Sequence, residues 1–420
     1  MTPNNNTPFA ENDVLVCGGG PAGVAAAVTA ARCGARTLLV ERYGRLGGMA
    51  VHALVGPLMG GVKSPFVSRV LERVGGHRAA PETIDLEYAA LLDEAGAGIL
   101  LHAWAGEALM HECRVTGIRV LTKEGFHRLD AKVVIDATGD GDIAHMAGAA
   151  FEQGRDGDGL LQPVSVMFRI AGVDTQRGLL CGCEEEARIV RVPEGTWEET
   201  VLAGQTAGEL PPEIGIIRVY ESCYPGERVI NATQVNGIDG TRTRDLTRAE
   251  FAARRQAAQV VAFLKKHAPG YEQIRISAMP AVLGVRETRR VLGVKYLTRE
   301  DVTGGRRCED AVVVGADFPV DIHNPTGGGQ AEGFAAHVKP YDIPYGCLVP
   351  RDIDGLLLAG RCISGSHDAH ASYRVQCIAM AIGAAAGAAA AIAARTRVQP
   401  RAVKPQDVQQ ALGIRELVRK

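Results

Sequence analysis

The sequence lacks an excess of charge of either sign. Its 420 residues carry 46 lysines and arginines against 48 aspartates and glutamates, a formal net charge of −2. A balance this close gives no electrostatic reason to expect nucleic acid or an anionic membrane surface as a partner. The hydrophobic content of 46% and the charged content of 22% are typical of a soluble globular protein. A chain of this length predicts more than one domain.

Paired cysteines are also lacking. The ten cysteines are scattered, and Cys181 and Cys183, which stand closest together, have no second pair or nearby histidine to complete a zinc site. The N-terminal stretch MTPNNNTPFAEN has neither the basic start nor the apolar core of a signal peptide. We therefore expect a cytoplasmic protein with reduced thiols and no bound metal.

The sequence contains little that could span a membrane. Only CIAMAIGAAAGAAAAIAA, residues 377–394, is long enough. It consists mostly of alanine and glycine, which insert weakly into a bilayer. The composition instead favours a buried helix in close contact with another element, so no membrane span is expected.

The most informative stretch that is present is DVLVCGGGPAGVAAA, residues 13–27. Gly18, Gly20 and Gly23 fit the G-x-G-x-x-G pattern between a predicted strand and a predicted helix. The first glycine permits a tight turn, the second lets the backbone approach a pyrophosphate, and the third lets helix and strand pack closely. The helix N-terminus offers free N–H groups to phosphates, and Glu41, which ends the next strand, can accept hydrogen bonds from a ribose. The pattern predicts a bound dinucleotide, either FAD or NAD.

Hydrophobic periodicity predicts an α/β arrangement along the rest of the chain. The predicted elements are a helix at 83–97, strands within 98–136, at 164–172 and within 273–320, an amphipathic helix at 247–268, and a strand at 355–360. The amphipathic helix is expected to carry Phe251, Ala258, Val261 and Leu264 on its apolar face.

Four further stretches resemble a known group of proteins. ERYGRLGGMA (41–50), VVIDATGD (133–140) and GLLLAGRCISGSHDAHASYRVQCIAMAIGAAAG (355–387) are similar to segments of flavoproteins of the glutathione-reductase-like superfamily. With GVRETRRVLGVKYLTREDV (284–302), the chain most resembles bacterial single-chain FAD-dependent oxidoreductases. Those proteins are relatives of fumarate reductase and succinate dehydrogenase flavoprotein subunits.

The resemblance implies FAD as the cofactor and an α/β fold. A discontinuous Rossmann-like FAD-binding domain (1–164 plus 341–395) would be joined by a mainly β substrate domain (165–340) and a C-terminal helical tail (396–420). The implied FAD contacts are Gly18, Gly20, Pro21, Ala22, Gly23, Glu41, Arg42, Gly47, Gly48, Met49, Ala137, Thr138, Gly139, Asp140, Gly360, Arg361, Arg374 and Val375.

Three absences narrow the chemistry. The sequence has no second nucleotide fingerprint, so a separate NAD(P)H domain is not expected. It has no dithiol after the Leu-Gly-Gly, which argues against disulfide reductase chemistry. The residues around His52 do not match a covalent attachment motif, so FAD is expected to be held noncovalently.

Several residues could carry the chemistry. A flavin exchanges a hydride at N5, so the protein must orient the substrate and handle a proton. The candidate proton handlers are His323, His367 and His370, the last two in a predicted loop, 361–374, that would face the isoalloxazine.

Arginines are the candidates for binding a substrate anion. Arg286, Arg289 and Arg290 stand within five residues, and strand alternation would put Arg286 and Arg290 on one face. Such a pair could bind a carboxylate, or the strand could be ion-paired through Glu287. Arg374, just before the alanine-rich helix, is expected near the pyrimidine edge of the flavin.

The leading functional hypothesis is an FAD-dependent dehydrogenase or oxidase that moves a hydride from a small polar metabolite to flavin N5. The alternatives are a reductase of an activated double bond and an electron-transfer subunit of a larger complex. The electron acceptor (oxygen, quinone or a redox protein) and a homo-oligomeric state are left open.

Overall fold

The computed structural model describes residues 11–331 and 335–418. Residues 1–10, 332–334 and 419–420 lie outside the described part. The prediction that the N-terminal stretch is not a signal peptide concerns mostly these residues, so it lies outside the described part.

The N-terminal part begins with the predicted strand–helix–strand unit and continues with the predicted run of short strands. Its elements are β1 (Asn12–Cys17), α1 (Pro21–Arg32), β2 (Thr37–Val40), α2 (Gly48–His52), α3 (Pro65–Val74), α4 (Pro81–Ala95), β3 (Gly98–Leu100), β4 (Trp104–His111), β5 (Arg114–Thr122), β6 (Gly125–Asp136), α5 (Asp142–Met146) and β7 (Phe151–Gln153).

The middle part combines short strands with three helices, the last of which has 25 residues. Its elements are β8 (Met167–Ala171), α6 (Glu184–Ile189), β9 (Arg191–Val192), β10 (Gly195–Thr196), α7 (Trp197–Thr206), β11 (Arg218–Glu221), β12 (Glu227–Asn231), α8 (Thr243–His267) and β13 (Arg275–Ala278).

The C-terminal part returns to the first sheet and ends in helices. Its elements are β14 (Arg289–Val291), α9 (Arg299–Gly304), β15 (Ala311–Ala316), β16 (Tyr341–Pro344), β17 (Leu356–Leu358), α10 (His367–Tyr373), α11 (Gln376–Thr396), α12 (Pro405–Leu412) and α13 (Arg415–Val418). Three short 3₁₀ turns lie at Tyr345–Leu348, Gly360–Cys362 and Pro400–Ala402.

The main sheet has the strand order β3-β2-β1-β6-β5-β4, with β17 also paired to β6. The second half of β6 runs parallel to β1 and β17, whereas its first half pairs antiparallel with β5. The sheet is therefore built from both ends of the chain. The carboxyl ends of its parallel strands meet at one edge, which is where α/β proteins place ligands.

Helix α11 is buried along almost its whole length and packs on α1. A Cβ atom added at Gly383 would overlap the carbonyl oxygen of Ala22, and one added at Gly387 would overlap that of Ala26. Small residues are needed here because the two helix backbones lie almost in contact. The helix is long and apolar enough to cross a membrane, but its apolar window is fully buried inside the protein.

A second core forms around the antiparallel sheet β11-β12-β8-β13 and α8, from residues between 164 and 285. The larger core combines residues between 14 and 149 with residues between 291 and 408. The predicted substrate domain is 165–340. Its last part, residues 291–340, thus contributes to the larger core rather than to the second one. The predicted domain boundaries themselves stay predictions.

The buried face of α8 differs from the predicted one. Phe251 is 63% exposed, and Ala258 is exposed as well. Of the four residues expected on the apolar face, only Leu264 is fully buried, while Val261 is partly buried against the core. Three alanines lie on the buried face (Ala249, Ala253 and Ala257). Val260, Phe263 and Leu264 continue the same face. The helix therefore buries an apolar face, but one rotated from the predicted face.

Candidate active site

A groove runs along the edge where the parallel strands end. Loops that follow β1, β2, β6 and β17 converge there, because the carboxyl ends of parallel strands share one edge of a sheet. Most of the predicted cofactor contacts line this dinucleotide groove: Gly18, Gly20, Pro21, Ala22, Glu41, Arg42, Gly48, Met49, Ala137, Thr138, Gly139, Gly360, Arg361 and Arg374.

The three glycines of the fingerprint differ in what requires them. A Cβ at Gly18, whose φ is +109°, would overlap the carbonyl oxygen of Ala137, and a Cβ at Gly23 would overlap that of Gly18. Packing within the protein therefore explains both. A Cβ at Gly20 would find its nearest atom at 3.7 Å, an ordinary contact. Since protein packing does not demand glycine at Gly20, its bare backbone fits a ligand that lies against it.

Polar groups at this end of the groove fit a dinucleotide. No side chain caps the N-terminus of α1, so its first N–H groups are available to phosphate oxygens. The Glu41 carboxylate is held by the N–H groups of Gly19 (2.5 Å) and Tyr43 (2.9 Å). A carboxylate has about four lone-pair positions, so Glu41 can also accept bonds from ribose hydroxyls.

Four predicted cofactor contacts do not line the groove. Gly23 lies beneath the glycine turn, and Gly47 is the left-handed N-cap residue of α2. Asp140 pairs with Arg361, whose guanidinium nitrogen lies 2.8 Å from the Asp140 carboxylate. Val375, the N-cap residue of α11, lines the neighbouring cavity instead.

The sequence patterns missed several groove residues, notably Tyr43, Trp104 and Gln376. Trp104 begins β4 and is half exposed, and the Arg42 guanidinium lies 5.0 Å from the centre of its ring. Glycine spacing carries no signal for Trp104. It reaches the groove because the preceding residue, Ala103, donates a 3.0 Å hydrogen bond from its N–H to the carbonyl oxygen of Glu41.

A second cavity of about 890 Å³ adjoins the groove, and we call it the substrate cavity. Met49, Arg361, Arg374 and Gln376 line both spaces. Its far walls come from the second core, including β8, β11 and β12, and from the segment around residues 318–323. A molecule in the substrate cavity can therefore touch the end of a cofactor that occupies the groove.

The substrate cavity holds one arginine without an acidic partner. Arg218 pairs with Glu184, and Arg374 lies 3.1 Å from the carboxylate of Asp321. Arg286 donates a 2.7 Å hydrogen bond to the carbonyl oxygen of Pro163. Within residues 11–331 and 335–418, the Arg286 guanidinium has no carboxylate within 4.0 Å, and the charge of Asp321 stabilises it only from a greater distance.

Burial, with a smaller contribution from the charge of Arg374, lowers the pKa of Arg286 to about 9. That value is still above neutrality, so the guanidinium is charged at pH 7. A partly buried cation without a paired carboxylate is costly, and a bound anion would stabilise it. The cavity is therefore suited to an anionic ligand.

His323 lies in the same cavity and is buried. Its Nε2 is 3.6 Å from the Asp321 carboxylate, and its main-chain N–H donates to Gln162. Burial, reinforced by the charge of Arg286, lowers the pKa of His323 to about 3. Burial opposes ionisation of Asp321, but the neighbouring imidazole N–H of His323 and the charge of Arg374 hold the pKa of that carboxyl well below its usual range. At neutral pH, His323 is thus a neutral imidazole that can accept a proton.

The structure does not bring His367 and His370 to either cavity. The predicted loop 361–374 is largely the buried helix α10. His367 Nδ1 lies 2.9 Å from the carboxylate of Glu287, and His370 is 1% exposed. Both side chains point into the core, because α10 is packed on the segment that carries Glu287.

The three neighbouring arginines are also separated. Only Arg286 faces the substrate cavity, since it precedes β14 and strand alternation does not apply to it. Arg289 pairs with Asp142 at 2.9 Å, whereas Arg290 pairs with Glu287 inside the core. The expected shared face of Arg286 and Arg290 is therefore wrong, and the ion-paired alternative holds for Arg290.

One polar atom at the junction of the two spaces is unsatisfied. The Nε of Arg374 is buried and has no hydrogen-bond partner among the described residues. Arg374 borders both the groove and the substrate cavity. An acceptor atom of a bound cofactor or substrate would satisfy it.

The chain is similar to a known protein family and to individual proteins of known name. A family model described as FAD dependent oxidoreductase matches residues 13–412. Digeranylgeranylglycerophospholipid reductases 1 and 2 of Methanopyrus kandleri are 32% and 33% identical over 149 and 150 residues. Each alignment covers 31% of this chain, and 40% and 38% of the two reductases, so less than half of either relative is matched.

The solved structures that match are more distant. A geranylgeranyl bacteriochlorophyll reductase-like protein from Thermoplasma acidophilum shares 16% identity with a TM-score of 0.48. That comparison covers 96% of this chain and 82% of the other.

Proposed function

The chain belongs to the FAD-dependent oxidoreductase family, and from this premise we propose that it oxidises a small metabolite that carries a carboxylate or a similar anionic group. The observation that carries the proposal is the Arg286 guanidinium, which has no ion-paired carboxylate among the described residues, in a cavity that adjoins the dinucleotide groove. When bound, FAD accepts or donates a hydride at N5. The protein supplies the binding sites, the orientation and the acid–base group.

We propose that the groove residues hold FAD noncovalently. The backbone from Gly18 to Ala22 and the N-terminus of α1 would bind the pyrophosphate, and Glu41 would bind a ribose. Arg374, which borders both spaces, would lie between the flavin and the substrate. The FAD-binding unit would combine 1–164 with 341–395, an arrangement supported by the pairing of β17 with β6.

We propose that Arg286 binds the substrate anion, with Arg218 and Arg374 as neighbours. A guanidinium can hold a carboxylate through two parallel hydrogen bonds, which orients the substrate as well as anchoring it. Asp321 and Glu184 restrain the other two arginines, so Arg286 is the one free to take a new partner.

We propose that His323 removes the proton that leaves when the substrate is oxidised. A neutral imidazole is ready to act as a base but is a weak source of protons. Uptake of a proton is the role that oxidation of the metabolite requires, and the reverse reaction, reduction of an activated double bond, is the alternative. The buried position of α11 supports a cytoplasmic location.

The test is an anaerobic screen in which loss of the flavin absorption band reports reduction by added metabolites. We expect bleaching by one or more small carboxylates and none by the corresponding esters or amides. Reduced protein would then be mixed with oxygen, a quinone or a redox protein to find the acceptor. If only a partner protein bleaches the flavin, the electron-transfer alternative replaces the proposal.

Replacement of Arg286 tests the anion site directly. In Arg286→Met, the substrate concentration for half-maximal flavin reduction should rise about 10–100-fold, the usual worth of a hydrogen-bonded charge. FAD content should be unchanged, because Arg286 does not line the groove. Arg244→Met, at an exposed position of α8, is the matched control. If Arg286→Met and Arg244→Met required the same substrate concentration for half-maximal flavin reduction, the proposal would be wrong.

A further inference from the structure

A third cavity lies beside the substrate cavity, and we call it the side cavity. It has a volume of about 400 Å³. Val55, Gly56, Pro57, Gly182 and Tyr220 line both it and the substrate cavity, so the two spaces are adjacent and share a boundary. No described residue lines both the side cavity and the dinucleotide groove. The side cavity therefore borders the substrate cavity but not the space predicted for the cofactor.

The lining of the side cavity combines apolar and charged side chains. Its apolar walls include Leu54, Leu58, Ile84, Leu180, Val219 and Val229. Its arginines are ion-paired, since Arg169 lies 3.1 Å from the carboxylate of Glu82 and Arg78 pairs with Glu221. Two buried guanidinium nitrogens of Arg169, Nε and Nη1, have no hydrogen-bond partner among the described residues. The apolar surface of this lining gains from being covered by an apolar part of a ligand.

The boundary between the two cavities is held in place from the cofactor side. Gln376, which borders the groove, donates a 2.8 Å hydrogen bond to the carbonyl oxygen of Val55. The same side chain accepts a bond from the N–H of Met59 at 3.2 Å. The segment 55–59 is thus a fixed wall, with the reacting space on one side and the apolar space on the other.

The position of the side cavity limits what it can hold. A group that reacts with the flavin cannot do so from there, because the side cavity does not border the groove. An unreactive part of a molecule that extends from the substrate cavity fits both its position and its lining. Ligand pockets commonly combine such apolar walls with a few polar anchors.

We propose that the substrate is an amphipathic carboxylate whose anionic end lies beside Arg286 and whose apolar chain passes Val55 and Tyr220 into the side cavity. This inference rests on the proposed anion site. It predicts that affinity rises with the length of the apolar chain, because each buried methylene adds to binding. Burial of only two methylenes is worth on the order of tenfold in affinity.

The experiment uses butyrate and decanoate as probes that bind without reacting. The oxidised, FAD-loaded protein would be titrated with each acid while the visible flavin spectrum is recorded. We expect decanoate to bind at least about tenfold more tightly than butyrate. Equal affinities would overturn the inference and leave the anion site standing.

Two variants place the effect in the side cavity. Ala79→Trp would fill the cavity from the loop before α4, and Leu180→Gln would make a partly exposed wall residue polar. Both should weaken decanoate binding about tenfold and leave butyrate binding unchanged. Leu202→Gln, at a 48% exposed leucine on α7 that lines neither cavity, is the matched control and should behave as the unmodified protein.

The outcomes separate the two proposals. If Ala79→Trp and Leu180→Gln leave the ratio of the two affinities unchanged, the side cavity does not hold the chain. If Arg286→Met loses both acids, the anionic end is placed as proposed. If that variant binds both acids normally, the proposed anion site is wrong, while the ratio of affinities still reports on the side cavity.

Discussion

Arg286 and His323 line the same cavity, and the charge of one controls the proton affinity of the other. The cation of Arg286 adds to burial in lowering the pKa of His323. A substrate anion bound to Arg286 would offset that charge and make the imidazole a stronger base. Binding and proton removal would thus be coupled at the level of two side chains.

Replacement of His323 tests its role as the base. Glutamine keeps the approximate size and hydrogen-bonding capacity of histidine but cannot take up a proton. In His323→Gln, the rate of flavin reduction by the substrate should fall about 10²–10⁴-fold, the usual worth of a positioned acid–base group. Stopped-flow absorbance under anaerobic conditions measures this rate. His111→Gln, at an exposed position of β4, is the control. An unchanged rate in His323→Gln would mean that the proton is handled elsewhere.

The pH dependence of the same reaction has a defined sign. The lowered pKa keeps His323 in its basic form throughout the range from pH 5 to 8. The second-order rate constant for flavin reduction should therefore show no loss assignable to His323 between these values. A histidine with the ordinary pKa of about 6.5 would lose roughly tenfold per pH unit below it. If the rate constant fell about tenfold per pH unit in the unmodified protein but not in His323→Gln, the expected pKa of His323 would be wrong.

At the level of elements, the contact between α1 and α11 supports the groove. Ala22, whose carbonyl oxygen would be overlapped by a Cβ at Gly383, also lines the groove. The same contact therefore holds the core together and positions the helix N-terminus that faces the phosphates. The apolar composition of α11 serves this packing.

Replacement of Gly383 should disturb both stability and cofactor binding. In Gly383→Ala, the added methyl group must push α1 and α11 apart, and overpacking of this kind typically costs about 1–3 kcal/mol in the free energy of unfolding. FAD affinity should fall as well, because Ala22 moves with α1. Denaturant unfolding and FAD titration of the apoprotein measure the two effects. Gly304→Ala is the control, since a Cβ at Gly304 would meet nothing within 4 Å. Equal stability of the two variants would contradict this account.

At the level of the whole molecule, the groove is assembled from distant parts of the chain. Glu41 and Gly360, separated by more than 300 residues, line the same space. A ligand in the groove therefore links β2 near the N-terminus to β17 near the C-terminus. Its binding energy is available only to the folded chain.

Removal of FAD should lower the thermal stability of the entire protein. Readdition of FAD at a hundred times its dissociation constant should raise the free energy of unfolding by about 2.7 kcal/mol, because FAD binds the folded state. Calorimetry of the apoprotein at increasing FAD concentrations measures the shift. A melting temperature independent of FAD would show that the groove does not bind it.

The sequence alone determined those site residues whose role depends only on the conformation of nearby backbone. Gly18, Gly23 and Glu41 follow from the geometry of one strand–helix–strand unit, and the structure places each of them in or directly under the groove. The family and its cofactor followed from short segments, because residues of three of them, 41–50, 133–140 and 355–387, line the groove.

Only the tertiary structure decided which polar residues share a cavity. His323 faces the substrate cavity while His367 faces Glu287, although both are histidines in segments near the predicted site. Spacing along the chain could not separate them, because the orientation of each depends on distant residues: Glu287 is 80 residues from His367, and Gln162 is 161 residues from His323. The same holds for Arg286, whose lack of a carboxylate partner is a property of its surroundings. The backbone conformation of a turn depends on neighbouring residues, so it can be predicted from the sequence. The burial of a side chain, its ion pairs and the shape of a cavity arise only when distant segments pack together.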